Sequence, residues 1–140
     1  MSLLVDAGPL VALADRNHPW RPRIRASLEQ EDGIWVLPAP VAAEVDYLLG
    51  TRLGNRARQA FLEDLAEGRF EVACLEGPDY ELVRQLDKQY EALEAGLADL
   101  SLVVMAHRYR TRRILTFDER DFRLLRPLDG DHFVLLPRDA

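Results

Sequence analysis

A single cysteine, Cys74, and a single lysine, Lys88, stand in a chain of 140 residues. One thiol excludes an internal disulfide and any cysteine-based zinc cluster. Its place in the apolar run Phe70-Glu71-Val72-Ala73-Cys74-Leu75 predicts a buried structural thiol. The three histidines, His18, His107 and His132, share no metal-ligand spacing, which sets imidazole-centred metal chemistry aside. Uninterrupted apolar runs are only a few residues long, far below the ~20 residues of a membrane span. The chain opens on Ser2-Leu3-Leu4-Val5-Asp6 without the basic and apolar regions of a secretory signal, so a cytoplasmic location is expected.

With 48% hydrophobic residues, the chain has material for a sizeable core, and its length suits one domain over residues 1–140. The net charge of −6 runs against the basic excess usual for a nucleic-acid partner. The distribution says more than the sum. Seventeen of the 18 basic residues are arginine, and Arg108, Arg110, Arg112, Arg113, Arg120, Arg123 and Arg126 crowd into one stretch. A second group is Arg16, Arg21, Arg23 and Arg25. Guanidinium forks suit bidentate phosphate contacts. The first group, Arg108 to Arg123 above all, is therefore a candidate RNA-binding set, against the plain alternative of a solvated arginine surface.

Short apolar runs alternate with helical periodicity from end to end. Strands are expected at 3–5, 34–37, 70–75, 113–117 and 132–136. Helices are expected from Pro9, over 22–31, 41–49 (closed by Gly50), 55–67, 78–93, 97–109 and 118–125. That alternation predicts an α/β fold of three layers, a mainly parallel central sheet with helices on both faces. In such folds the working site lies outside the carboxyl ends of the strands, near a switch in strand order.

Four acids stand out against this frame. Asp6 and Asp118 each terminate a predicted strand at the carboxyl edge. Glu44 shares a helix face with Val41 and Leu48, and Asp99 has Leu102, Val103 and Ala106 on its own face. A carboxylate desolvated without a partner costs several kcal/mol or takes up a proton. A bound hard cation removes that cost, and oxygen ligands select Mg2+ or Mn2+. Each acid also has a structural reading. Asp6 is a strand-end turn residue, badly placed as a cap because Gly8 precedes Pro9. Glu44 is the partner of an arginine, Asp99 a first-turn acid favoured by the helix dipole, and Asp118 an N-cap with Asp121 at N3. Four acids converging on one edge, without a nucleophilic His, Lys or Cys, point to metal-assisted hydrolysis of a phosphodiester.

The segments Leu3-Leu4-Val5-Asp6, Val41-Ala42-Ala43-Glu44-Val45-Asp46-Tyr47-Leu48, Gly96-Leu97-Ala98-Asp99-Leu100-Ser101 and Ile114-Leu115-Thr116-Phe117-Asp118-Glu119-Arg120-Asp121-Phe122 together resemble a PIN domain. In size and motif order the chain is similar to the VapC ribonuclease toxins of VapBC toxin–antitoxin pairs. The acids follow one another at spacings of 38, 55 and 19 residues, and the order of all four motifs is more specific than any one. The resemblance implies a magnesium- or manganese-dependent endoribonuclease acting on cytoplasmic RNA, a homodimer, and a small cognate antitoxin whose C-terminal segment covers the acidic pocket. It matches Asp6, Glu44, Asp99 and Asp118 to the metal-binding acids, Thr116 to a polar position beside them, and Asp121 to a frequent supporting acid. Asp46, about 200° round the helix from Glu44, is left out.

The chain departs from that pattern at one place: Ala7-Gly8 follow Asp6 where the family usually has Ser or Thr. The departure bears on turnover more than on metal binding, and it keeps open an alternative, a PIN-like RNA- or protein-binding module of weak catalysis. A receiver domain is disfavoured because the only lysine falls within a helix. A haloacid-dehalogenase phosphatase is disfavoured because position 8 is glycine.

Overall fold

The computed structural model describes residues 2–140. Five strands, β1 (Leu3–Val5), β2 (Trp35–Pro38), β3 (Glu71–Ala73), β4 (Arg113–Leu115) and β5 (Val134–Leu136), form one sheet in the order β3-β2-β1-β4-β5. Every neighbouring pair is parallel. The helices are α1 (Ala7–Ala14), α2 (Arg21–Glu29), α3 (Ala39–Arg52), α4 (Asn55–Ala66), α5 (Gly77–Gln89), α6 (Leu97–Arg108) and α7 (Glu119–Leu124). Successive residues of a strand point to opposite faces, and Leu3, Leu4 and Val5 are all fully buried. Both faces of the centre of the sheet are therefore covered, as the alternating pattern requires.

Strand order decides where a ligand can sit. From β1 the chain steps outward through β2 to β3, then returns to the other side of β1 for β4 and β5. The switch falls between β1 and β4, whose carboxyl ends diverge towards α1 and α7 and leave a crevice. The Asp6 amide still donates to the Leu115 carbonyl at 2.9 Å, so the floor of that crevice is continuous sheet.

Three local expectations are corrected. Helix α3 runs through Gly50 to Arg52 and stops before Gly54, whose φ of +106° an L side chain resists. Pro40 sits in its first turn, where the missing N–H costs nothing. Gly50 faces α4, with the Arg58 side chain 3.4 Å from where a Cβ would lie. Helix α1 begins at Ala7 rather than Pro9, because Asp6 caps it after all. Cys74 is exposed, not buried. It follows β3, the outermost strand on its side, where Glu71 and Val72 are exposed as well.

Candidate metal centre and nuclease site

Asp6 leaves β1 as the N-cap of α1, with both carboxylate oxygens engaged. Oδ1 accepts from the Ala7 amide at 2.8 Å, and Oδ2 accepts from the Thr116 hydroxyl at 2.7 Å. Thr116 Oγ1 in turn accepts from the Asp118 amide at 3.0 Å, and Asp118 Oδ1 from the Asp121 amide at 3.1 Å. One hydrogen-bonded chain thus runs from the first turn of α7 across the crevice to the end of β1, with Thr116 as its hinge. Asp118 is therefore both a helix cap and a member of the acid cluster.

Asp99 arrives from the other side, at the third position of α6, where the helix dipole favours a negative charge. Asp99, Asp118 and Asp121 each offer a carboxylate oxygen, and the three lie within 4.8 Å of one another. Glu44 stands on α3 beside them, on the solvent side. The buried stripe of α3 is Val41, Val45 and Leu49, so Glu44 lies at its margin and is exposed, a correction to the apolar environment its spacing suggests. Asp46, set aside from the sequence, pairs instead with Arg58 at 3.2 Å.

The electrostatics tie the five acids together. Burial pushes the Asp6 carboxyl up, against the hydrogen bonds from Thr116 and Ala7, and the charge of Asp118 pushes the same way as burial. Glu44 is raised by what burial it has and by Asp6, against the charge of Arg52, and Asp121 by burial and Asp118, against the charge of Arg120. Asp99 feels most: burial, then Asp6, Asp118, Glu44 and Asp121, lift it from 3.8 to about 7. None of the five forms an ion pair with a cation among the described residues.

Over residues 3–126 the chain matches the family model of the PIN domain. The chain belongs to the PIN-domain family. It is 36% identical over 135 residues to ribonuclease VapC26 of Mycobacterium tuberculosis, covering 96% of this chain and all of that one. Among solved structures, the fold is similar to that of Mycobacterium tuberculosis VapC20, a toxin that cleaves the sarcin–ricin loop. The TM-score is 0.77 at 16% identity, over 84% of this chain and 91% of that one. It is also similar to VapBC2 of Rickettsia felis, solved with a DNA fragment from its promoter. There the TM-score is 0.68 at 18% identity, over 96% and 97% of the two chains.

Nucleases of the PIN family are generally metal-dependent, and the donor set here fits a hard cation. A six-coordinate Mg2+ with bonds of about 2.1 Å holds its ligand oxygens roughly 3–4 Å apart. Small side-chain rotations bring oxygens spaced within 4.8 Å to that separation. The donors are all carboxylates, and their excess of negative charge is offset only in part, by Arg52 near Glu44 and Arg120 near Asp121, neither of them in an ion pair with the cluster among the described residues.

At Gly8, one of the two positions after Asp6 that lack the hydroxyl usual in the PIN-domain family, the space is tight. A Cβ there would lie 3.1 Å from Cδ2 of Phe117, so a seryl or threonyl side chain asks that ring to give by a few tenths of an ångström. The arginines divide. Arg108 pairs with Asp79, Arg112 with Asp129 and Asp131, Arg113 with Glu31, and Arg123 with Asp139. Arg110 and Arg120 form no ion pair among the described residues, and Arg120 alone of these two lies by the acids, in the first turn of α7. No helix among the described residues is long and apolar enough to cross a membrane.

Proposed function

We propose that this PIN-domain protein is an endoribonuclease dependent on Mg2+ or Mn2+, acting as the toxin of a toxin–antitoxin pair. The observation that carries the reading is the set of carboxylates at the β1/β4 switch, none of them held in an ion pair among the described residues. The ribonuclease similar over nearly the whole chain supports the choice of RNA. Asp99, Asp118 and Asp121 would hold the cation, with Asp6 and Glu44 completing the set. The bound ion supplies the Lewis acidity that activates water and stabilises the departing oxygen of a phosphodiester.

The protein's own groups do the positioning. Thr116 and the Ala7 amide fix the Asp6 carboxylate, so it enters the site without reorganising. Arg120 reaches for a backbone phosphate next to the scissile one, since its guanidinium lies near Asp121 but is held in no ion pair among the described residues. The chain acts as one cytoplasmic domain that pairs with a second copy. A small antitoxin silences it by laying a segment over the acids.

Incubating RNA with the wild type, Asp6→Asn and Asp99→Asn in Mg2+, Mn2+ or EDTA tests this directly. Cleavage is expected to require the metal and to fall at least about a hundredfold in either variant, with circular dichroism unchanged. Cleavage that persists in EDTA, or an Asp99→Asn protein as active as wild type, refutes the assignment. Intact RNA under every condition leaves a binding module.

A further inference from the structure

Beside the acids lies a second feature that the metal chemistry does not use. A cavity of about 420 Å³ opens among His18, Trp20, Thr116, Phe117, Glu119 and Arg138, within the range of small-molecule pockets, about 300–1,000 Å³. Three of its walls are aromatic. The His18 and Phe117 rings lie nearly parallel, 7° apart with centroids at 5.8 Å, and Trp20 meets Phe117 edge-on at 6.0 Å. Phe117 is 38% exposed, a large apolar surface open to water. Cations flank the group: the Arg23 guanidinium stands 4.3 Å from the Trp20 ring centre and that of Arg138 5.8 Å. Arg138 is tied to Glu119 at 3.0 Å, whereas Arg23 is exposed and forms no ion pair among the described residues.

The position of this pocket is as informative as its lining. Thr116 belongs to both sites: its hydroxyl holds Asp6 and its residue lines the cavity. Phe117 is the link between Thr116 and Asp118, one Cα step of ~3.8 Å from each. The bare Cα of Gly8 lets the Phe117 ring lie where it does. Whatever occupies the cavity is therefore next to whatever reacts at the acids, and the position that forgoes a hydroxyl accommodates an aromatic platform instead.

Resting on the ribonuclease reading, we propose that this pocket receives one unstacked nucleobase of a single-stranded RNA whose neighbouring phosphate lies at the acids. The base stacks on the exposed Phe117 ring with Trp20 against its edge, and Arg23 meets the backbone beyond it. A flat aromatic face and one cation without an acid partner among the described residues, Arg23, suit this occupant, because every base offers a π-face and every nucleotide a phosphate. The pocket then makes the enzyme select splayed strands over duplex, since a base paired in a helix cannot enter it.

The test compares two probes by fluorescence anisotropy in EDTA, where no cleavage occurs. One is a set of fluorescein-labelled pentaribonucleotides, and the other is the same set with the central base removed. Phe117→Ala is expected to weaken binding of the intact oligomers about tenfold. It should leave the abasic ones and the salt slope as they are, because phosphate contacts are unchanged. Phe117→Trp restores the binding, and His18→Ala, a second variant that leaves the Phe117 ring in place, gives a smaller loss. In Mg2+, Phe117→Ala raises KM and spares kcat. Equal loss on both probes, or none on either, overturns the pocket even if the wild type cleaves RNA. Base-dependent binding by a wild type that never cleaves leaves the pocket standing and removes the nuclease.

Discussion

The two ends of the sheet handle charge in opposite ways. At the amino edge, before β4 and β5, Arg112 pairs with Asp129 and Asp131, and Arg113 with Glu31. A cavity of about 750 Å³ opens there among His107, Arg110, Arg112 and Arg113, roomier than the aromatic pocket, yet most of its charges are already matched. At the carboxyl edge five acids converge and none is held in an ion pair among the described residues, Arg52 and Arg120 offsetting Glu44 and Asp121 only in part. An edge that neutralises itself asks nothing of a ligand. An edge that leaves carboxylates raised in pKa stores unfavourable interaction that only protons or an outside cation can relieve.

The largest effect expected from breaking this contrast is on the carboxyl edge itself. Asp99 is raised to about 7 from 3.8, so the native state holds that proton more firmly than the unfolded chain does. Its contribution to stability is therefore favourable at acid pH and fades as pH climbs from about 4 through 7. Asp6, Glu44 and Asp121 are shifted in the same direction. Metal-free protein should thus melt lower at pH 8 than at pH 5, by an amount worth about 1–2 kcal/mol after allowance for solvent screening. Mg2+ at a hundred times its dissociation constant should return about 2.7 kcal/mol at pH 8. Asp99→Asn should raise the metal-free melting point at pH 8 and remove most of the metal response. A melting curve indifferent to both pH and metal would show that the acids do not interact.

A smaller effect is expected from the hinge of the hydrogen-bonded chain. Thr116→Val keeps the shape but takes away the donor to Asp6 and the acceptor for the Asp118 amide. RNA cleavage should drop ten- to a hundredfold, as when an outer partner of a metal ligand is lost, with about 1 kcal/mol of stability. Thr116→Ser should recover most of both. If Thr116→Val cleaves like the wild type, the hydroxyl is a packing feature and Asp6 is held well enough by the Ala7 amide.

How much of this could be read from the sequence depended on whether the signal was local. Asp6 was legible because Leu3, Leu4 and Val5 form an uninterrupted apolar run that ends on it, and strand ends fix the carboxyl edge. Alternating strands and helices said that a site would lie near a switch in strand order, but not that the switch falls between β1 and β4, since strand order is set by packing. Cys74 was misread because burial in a strand depends on its place in the sheet, and nothing in residues 70–75 says that β3 is outermost. Glu44 was misread for a related reason. Val41 and Leu48 flank it at helical spacing, but the stripe that turns inward is Val41, Val45 and Leu49, which packing against neighbouring elements selects. Asp121 was given only a supporting place, although its spacing from Asp118, cap to third residue, was in view. Its closeness to Asp99 could not be, since α6 and α7 meet only in the fold. The division of the arginines was hidden in the same way, because Arg112 finds its acids only where β5 lies beside β4.

The amino edge should give the smallest responses, and unequal ones. Arg112 reaches across to two acids that are mostly in water, their side chains 62% and 72% exposed, so Arg112→Ala should leave the melting point and RNA cleavage where they are. Arg113 differs because the Glu31 side chain it pairs with is only 4% exposed. Arg113→Ala leaves that carboxylate with the Gly33 amide alone, at 3.3 Å, and should cost about 1–3 kcal/mol by thermal melting. The double variant Arg113→Ala/Glu31→Gln should recover part of the loss, since the stranded charge goes with its partner. Neither change should alter cleavage once the protein is folded, whereas Arg120→Ala, on the opposite edge, should weaken RNA binding and lower its salt slope by about one. If Arg112→Ala weakens RNA binding as much as Arg120→Ala does, the amino edge is part of the RNA path and its ion pairs open on binding.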